Sequence, residues 1–137
     1  MPRLSRWFIR TAFLYLVVAL ALGVALAAAG DRLPALVGAC PVYIHFFMVG
    51  WLTQMIAGVA YWMFPRGSSR VSRATRPDDP RGWWVYGGLN VGLLLRAAGE
   101  PWPLSHWAGP LLIASALLQL AAAGVLVLTL WPRARSR

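Results

Sequence analysis

Charged residues, lysine and cysteine are all scarce in this sequence of 137 residues. Only 12% of the residues are charged, lysine is absent, and Cys40 is the one cysteine. A single cysteine excludes an intrachain disulfide, and the lack of a Cys-x-x-Cys-His motif excludes covalent attachment of a c-type haem. The acidic residues number four and form no pair within a predicted span, which argues against catalysis by paired carboxylates.

Apolar residues, in contrast, make up 59% of the chain. A soluble domain of this size cannot bury that much apolar surface, because its ratio of surface to volume is too high. The same composition excludes a disordered chain. The length is that of one domain, so we expect residues 1–137 to form a single domain embedded in a lipid bilayer.

Four runs are long and apolar enough for transmembrane helices, each of which needs roughly 20 residues. The runs are 7–29, 41–64, 83–98 and 106–131, with a polar loop at 65–82. We expect Pro65 to end the second helix and Pro132 to end the fourth. The third is short and rich in glycine, and it carries Asn90 and Arg96. The predicted fold is all-α, a four-helix transmembrane bundle.

The first run also resembles a signal peptide. Arg3, Arg6 and Arg10 give it a charged beginning, and Ala27–Ala29 resembles a cleavage site. Its apolar stretch is longer than the roughly 7–15 residues of a signal peptide core. We therefore expect a retained helix.

The arginines are distributed very unevenly between the predicted loops. Three lie at the N-terminal end (Arg3, Arg6 and Arg10), five lie between the second and third runs, and three follow the fourth, which leaves only Arg32 and Arg96 on the other side. The positive-inside rule then predicts cytoplasmic N- and C-termini, in agreement with an even number of spans, which places both termini on the same side. We expect a multi-pass protein of the inner (plasma) membrane.

The net charge of +9 does not indicate a nucleic-acid-binding protein. The arginines flank apolar runs, where they meet lipid headgroups. No basic face alternates with exposed aromatic residues, as a nucleic-acid groove would require.

Four ionisable residues lie in or beside the predicted spans, and all map to the outer half of the membrane. They are His45, Arg96, Glu100 and His106. Such groups are costly in a bilayer and commonly serve a function. Their clustering predicts a site near the outer face.

His45 lies on an apolar face of the second predicted helix. At about 100° per residue, it shares that face with Val49, Leu52, Ile56, Val59 and Met63. The opposite face carries Gly50, Gln54, Gly58 and Tyr61, and its small residues allow close packing of a neighbouring helix. One imidazole in an apolar wall suits a haem.

His106 begins the fourth predicted helix at a similar depth, so the two histidines are candidate axial ligands of one haem iron. His45 could instead bond to a neighbouring helix, and His106 could face water. Arg96 and Glu100 are four residues apart and predict an ion pair on one helix face. Alternatively, Arg96 could bind a haem propionate in bidentate fashion.

The stretch Tyr43–Arg66, YIHFFMVGWLTQMIAGVAYWMFPR, resembles the early histidine-bearing helix of haem-copper oxidase subunit I, especially its cbb3-like branch. Leu89–Trp102, LNVGLLLRAAGEPW, is similar to small stand-alone relatives of that subunit. The resemblance covers about half of the chain. In the large oxidases this helix supplies an axial histidine to the low-spin haem, and His45 matches that role. Counterparts of the copper-binding histidines are missing, so oxygen reduction by this chain alone is not expected.

The resemblance implies a protein that binds haem b and acts in electron transfer, or in haem or gas binding, beside a respiratory oxidase or nitric oxide reductase. Two alternatives remain at this point. One is a cofactor-free accessory subunit of a respiratory complex. The other is a small copper or zinc protein, in which two histidines would need further ligands. We expect a homodimer or a larger complex, because glycine-bearing faces invite helix association.

Overall fold

The computed structural model describes residues 1–29, 38–63, 80–102 and 104–135. Within these residues the regular structure is entirely helical. The helices are α1 (Arg3–Ala29), α2 (Cys40–Met63), α3 (Pro80–Gly99) and α4 (Ala108–Arg135). Each overlaps one of the four predicted runs.

The helix boundaries differ from the predicted ones in ways that follow from residue chemistry. α1 begins at Arg3 rather than at residue 7, because arginine is a good helix former and apolarity marks only the lipid-facing part. α3 begins at Pro80, a residue suited to the first turn, so 80–82 belong to α3 rather than to the predicted loop. The rest of that loop, and the predicted helix stop at Pro65, lie outside the described residues.

The fourth helix begins later and ends later than predicted. It starts at Ala108, two residues after His106, and continues through Pro132 to Arg135. Proline lacks the N–H that would bond to the carbonyl four residues earlier. The helix nevertheless continues for three residues beyond Pro132, so the expectation that this proline ends it is wrong.

α2 contains a wide turn in its middle. Cys40–His45 is α-helical, Phe46–Thr53 is π-helical, and Gln54–Met63 is α-helical again. A π-helix bonds each N–H to the carbonyl five residues back, and the Thr53 hydroxyl donates to the Met48 carbonyl at the same spacing, 2.9 Å away. His45 is therefore the last residue before the wide turn.

Three of the four helices are long and apolar enough to cross a membrane, namely α1, α2 and α4. α3 does not reach the same apolarity, because Arg81, Asn90, Arg96 and several glycines lie in it. Many large apolar side chains of the other helices are exposed, among them Val17 and Val24 of α1 and Leu120 and Leu128 of α4. This apolar outer surface is that of a membrane protein.

Successive helices run antiparallel. At the arginine end, where α1 and α3 begin and α2 ends, Phe8 contacts Tyr61 and Tyr86 with ring centroids 5.8 and 5.2 Å apart. At the histidine end, where α2 begins and α3 ends, His45 lies against Glu100. α4 returns along α3, since Gly99 lies beside Leu112 and Gly88 beside Ala122.

The core lies towards the arginine end and draws on all four helices. Its buried members are Leu4, Phe8, Ala57, Tyr61, Val85, Leu89 and Ala122. Glycines bring α1 and α2 close together: a Cβ on Gly50 would be 2.6 Å from Tyr15 Cγ, and one on Gly58 would be 2.9 Å from Phe8 Cβ. The prediction that this face of α2 packs against another helix is confirmed.

Tryptophans gather near both ends of the bundle. Trp7, Trp62 and Trp84 are exposed near the arginine end, and Trp102 and Trp107 are exposed beyond the end of α3. Amphipathic rings prefer the depth of the membrane–water interface. Their positions mark two levels separated by the apolar part of the helices.

Candidate functional site

His45 makes its first contact within its own helix. Its Nδ1 lies 2.8 Å from the carbonyl oxygen of Pro41, four residues earlier. The ring is partly exposed, with 28% of the side chain accessible. A backbone carbonyl in an apolar environment is a strong acceptor, so this bond offsets part of the cost of placing an imidazole at this depth.

Glu100 makes the second contact with the same nitrogen. Its Oε1 lies 3.0 Å from His45 Nδ1, and only 7% of the glutamate side chain is exposed. Glu100 directly follows the last residue of α3, and its backbone N–H donates to the Arg96 carbonyl at 2.8 Å. The end of α3 thus carries a nearly buried carboxylate to the start of α2.

Arg96 completes the cluster. Its terminal NH1 donates to Glu100 Oε1 over 3.0 Å, which confirms the ion pair predicted from their spacing. One carboxylate oxygen therefore accepts from both His45 and Arg96. Within the described part of the chain, Glu100 Oε2 and Arg96 Nε are buried and have no hydrogen-bond partner.

This geometry determines which ring nitrogen of His45 carries the proton. Both neighbours of Nδ1, the Pro41 carbonyl and the Glu100 carboxylate, are acceptors, so Nδ1 must be the donor. In a neutral imidazole the other nitrogen, Nε2, then holds a lone pair. No described residue bonds to Nε2. An imidazole held through one nitrogen with the other free is the usual arrangement of a metal-binding histidine.

Part of the apolar wall predicted beside His45 lies on the outside of the bundle. Leu52, Ile56 and Met63 are exposed, but Val49 packs against the core. The exposed Ile44 and Met48 also flank His45 in sequence, and the opposite face of α2 is buried against α1. A planar group on His45 would therefore lie along this outer face. A groove of about 410 Å³ also opens nearby, but its lining does not include His45; it consists of Leu20, Gly23, Val24, Leu26, Ala27, Cys40 and Tyr43.

His106 makes no described contact with this cluster. It is exposed, in the turn that precedes α4, and no hydrogen bond or ion pair joins it to His45, Arg96 or Glu100. The described residues also hold no group of three or more His, Cys, Asp or Glu side chains placed to bind one metal ion. The structure thus brings together three of the four predicted ionisable residues.

A second polar cluster lies deeper in the bundle. Gln54, which is fully buried, pairs with Asn90 of the neighbouring helix α3. Ser115 of α4 donates to the Gly92 carbonyl of α3 at 2.7 Å, and Gln119 Nε2 lies 3.5 Å from the Ser115 hydroxyl. These bonds tie α3 to both neighbours.

Sequence reasoning missed two features of the site. The first is the contact between His45 and Glu100, which are 55 positions apart and meet only because α2 and α3 are antiparallel. The second is the joining role of Ser115 and Gln119 on α4. Their four-residue spacing places both polar side chains on one face of the helix, and this spacing in the sequence could have indicated a face that packs against another helix.

The candidate site therefore consists of His45, Arg96 and Glu100 at the histidine end of α2 and α3, with the Nε2 of His45 bonded to no described residue. Comparisons with models of known protein families, with curated protein sequences and with solved structures find no match to this chain.

Proposed function

We propose that the chain crosses the membrane four times, with both termini in the cytoplasm. α3 is 20 residues long, or roughly 30 Å at 1.5 Å per residue, which equals the thickness of the hydrocarbon core. Asn90 faces a neighbouring helix, since it bonds to Gln54 of α2, and the charge of Arg96 is paired with Glu100 at the end of α3 itself. The excess of arginine on one side supports the cytoplasmic orientation and a location in the inner membrane.

We propose further that the protein binds haem b through His45. The observation that carries this proposal is the open Nε2 of a ring whose Nδ1 is held by Pro41 and Glu100. The residues fit an axial ligand in tautomer, orientation and apolar surroundings. Haem b bound there would supply one-electron transfer or a site for a diatomic gas.

The sequence resemblance to haem-copper oxidase subunit I supports the same assignment, because His45 matches the axial histidine of that helix. We infer a role in electron transfer, or in haem or gas binding, beside a respiratory oxidase or nitric oxide reductase. Arg96 is already paired with Glu100, so a propionate would have to use its remaining guanidinium nitrogens.

One observation favours a second candidate function. Because Nδ1 of His45 already bonds to Glu100, the imidazole has a structural role in joining α2 to α3 even without iron. A cofactor-free accessory subunit of a respiratory membrane complex would need no more than this. The two candidates differ in whether the protein takes up haem.

A visible absorption spectrum separates them. We expect the wild-type protein, expressed with haem in excess, to show a Soret band that sharpens on reduction. His45→Ala should abolish or greatly weaken haem uptake and leave membrane insertion intact. His106→Ala should do less: it should either convert a six-coordinate spectrum to a five-coordinate one, if His106 is the second ligand, or change nothing.

Two results would contradict the haem assignment. One is a wild-type protein that takes up no haem under these conditions, which would favour the cofactor-free subunit. The other is a His45→Ala variant that keeps the wild-type haem spectrum and stoichiometry.

We also infer that the chain works as a homodimer or within a larger complex. Gly109 and Gly124 of α4 face open space, with nothing within 4 Å of where a Cβ would be, and small residues admit a second helix closely. Crosslinking in native membranes should yield a dimer or a specific hetero-complex. A stable monomer in mild detergent, with no crosslinked product, would argue against association.

A further inference from the structure

His45 needs a partner beyond its own helix to present a defined nitrogen. The ring lies on a partly exposed face of α2, and a free imidazole exchanges between two tautomers. The Pro41 carbonyl belongs to the same helix and is neutral. Glu100 comes from α3 and carries a negative charge, and charge-assisted hydrogen bonds are roughly twice as strong as neutral ones.

The carboxylate itself is held firmly. Glu100 lies directly beyond the end of α3, its side chain is only 7% exposed, and Arg96, one turn earlier, donates to it at 3.0 Å. Both His45 and Arg96 bond to Oε1, so the position of that single oxygen defines the position of the ring.

We propose that Glu100 is the positioning residue of His45, fixing its Nδ1–H tautomer so that Nε2 faces outwards as an electron-rich ligand. The part that concerns iron rests on the proposed haem function. A carboxylate on Nδ1–H raises the basicity of Nε2, and hydrogen bonding behind an axial ligand is one of the levers that tune a haem. A more basic ligand stabilises ferric over ferrous iron and lowers the reduction potential.

The experiment compares Glu100→Gln, Glu100→Ala and Arg96→Gln with the wild-type protein. Glutamine keeps an acceptor and the side-chain volume but loses the charge, whereas alanine loses both. Arg96→Gln tests the other partner of Oε1 separately, because it removes the guanidinium and keeps the Glu100 side chain. Circular dichroism and size exclusion in detergent identify variants that have kept the fold.

The first readout is the tautomer of His45 in the haem-free protein, measured by nitrogen-15 NMR at one fixed pH. The chain has two histidines, so a His106→Asn background leaves His45 as the only signal. We expect Nδ1–H in the wild type, in Glu100→Gln and in Arg96→Gln, and a mixture of tautomers in Glu100→Ala. An unchanged tautomer in a folded Glu100→Ala variant would overturn the positioning role.

The second readout uses the haem-loaded protein. Loss of a partner behind a metal-binding histidine typically lowers affinity 10- to 100-fold, and we expect that loss in Glu100→Ala. Glu100→Gln should raise the reduction potential. If the wild type binds haem but affinity and potential are the same in both variants, Glu100 does not tune the ligand and the haem assignment stands. If the wild type binds no haem, the proposed function fails, while the NMR result still decides the role of Glu100.

Discussion

Gln54 of α2 and Asn90 of α3 exchange two amide hydrogen bonds across the middle of the bundle. Gln54 Nε2 donates to Asn90 Oδ1 at 3.3 Å, and Asn90 Nδ2 donates to Gln54 Oε1 at 3.4 Å. Asn90 Nδ2 also lies 2.8 Å from the Tyr86 carbonyl. Removing Asn90 would take both bonds from the Gln54 amide, whereas removing Gln54 would leave Asn90 only its bond to the Tyr86 carbonyl.

The first prediction tests this pair. Gln54→Leu or Asn90→Leu alone should lower the free energy of unfolding by about 1–3 kcal/mol, because a buried amide loses its partner. The double variant should lose less than the sum of the two, since neither amide then remains. The measurement is unfolding in mixed SDS micelles followed by circular dichroism. Strictly additive losses would show that the two amides are not coupled.

The second prediction concerns close packing of α1 on α2. Gly50→Ala should cost about 1–3 kcal/mol of unfolding free energy, because the added methyl would meet the Tyr15 ring and overpacking forces side chains to shift. Gly87→Ala is the matched control in α3, where nothing lies within 4 Å. It should stabilise the protein by up to about 1 kcal/mol through helix propensity. Equal effects of the two substitutions would contradict the observed approach of α1 to α2.

The third prediction compares two phenylalanines of α1. Phe8 is fully buried and Phe13 is 54% exposed. Phe8→Ala should lower the free energy of unfolding by about 3–5 kcal/mol, because it empties a space between Tyr61 and Tyr86. Phe13→Ala should change it by less than about 1 kcal/mol, because the Phe13 side chain faces lipid or detergent in both the folded and the unfolded protein. A large effect at Phe13 would indicate that its face is covered by another chain.

The fourth prediction concerns topology. Reporters fused after Arg137 and within 64–79 should be active only in the cytoplasm, whereas one fused after Leu104 should be active only outside. This pattern requires α3 to cross the membrane. If α3 did not cross, the fusions within 64–79 and after Leu104 would report the same side, and the one after Arg137 would report the opposite side.

Much of the fold could be predicted from periodicity and composition, and the features that could not be predicted have a physical reason. The spacing of Gly50, Gln54 and Gly58 marked the buried face of α2, and the four-residue spacing of Arg96 and Glu100 marked their ion pair. Both are local relationships on one helix. The contact of His45 with Glu100 depends on the relative height and rotation of two helices, which one helix's sequence does not encode.

The hydropathy of the sequence likewise could not predict the wide turn in α2. Phe46–Thr53 is apolar throughout apart from Gly50 and Thr53, and such a run is compatible with either kind of helix. The exposed position of His106 likewise depends on where α4 begins. The predicted helix began at residue 106, whereas α4 begins at Ala108, so His106 lies in the preceding turn and outside the helix.

The π-helical turn also makes the rotational phase of α2 depend on a count of residues. Each i→i+5 hydrogen bond encloses one residue more than an α-helical bond, and one residue corresponds to about 100° of rotation. Deleting a single residue between His45 and Gln54 would leave the apolarity of the span nearly unchanged. Because the wide turn holds one residue more than an α-helical turn, the shortened segment can close as an α-helix with its two flanks in nearly the same phase. A deletion within the α-helical part, Gln54–Met63, would instead turn the imidazole by about 100° relative to the face that packs on α1, and so away from Glu100. Two chains with almost the same hydropathy profile could therefore differ completely in whether the ring and the carboxylate meet.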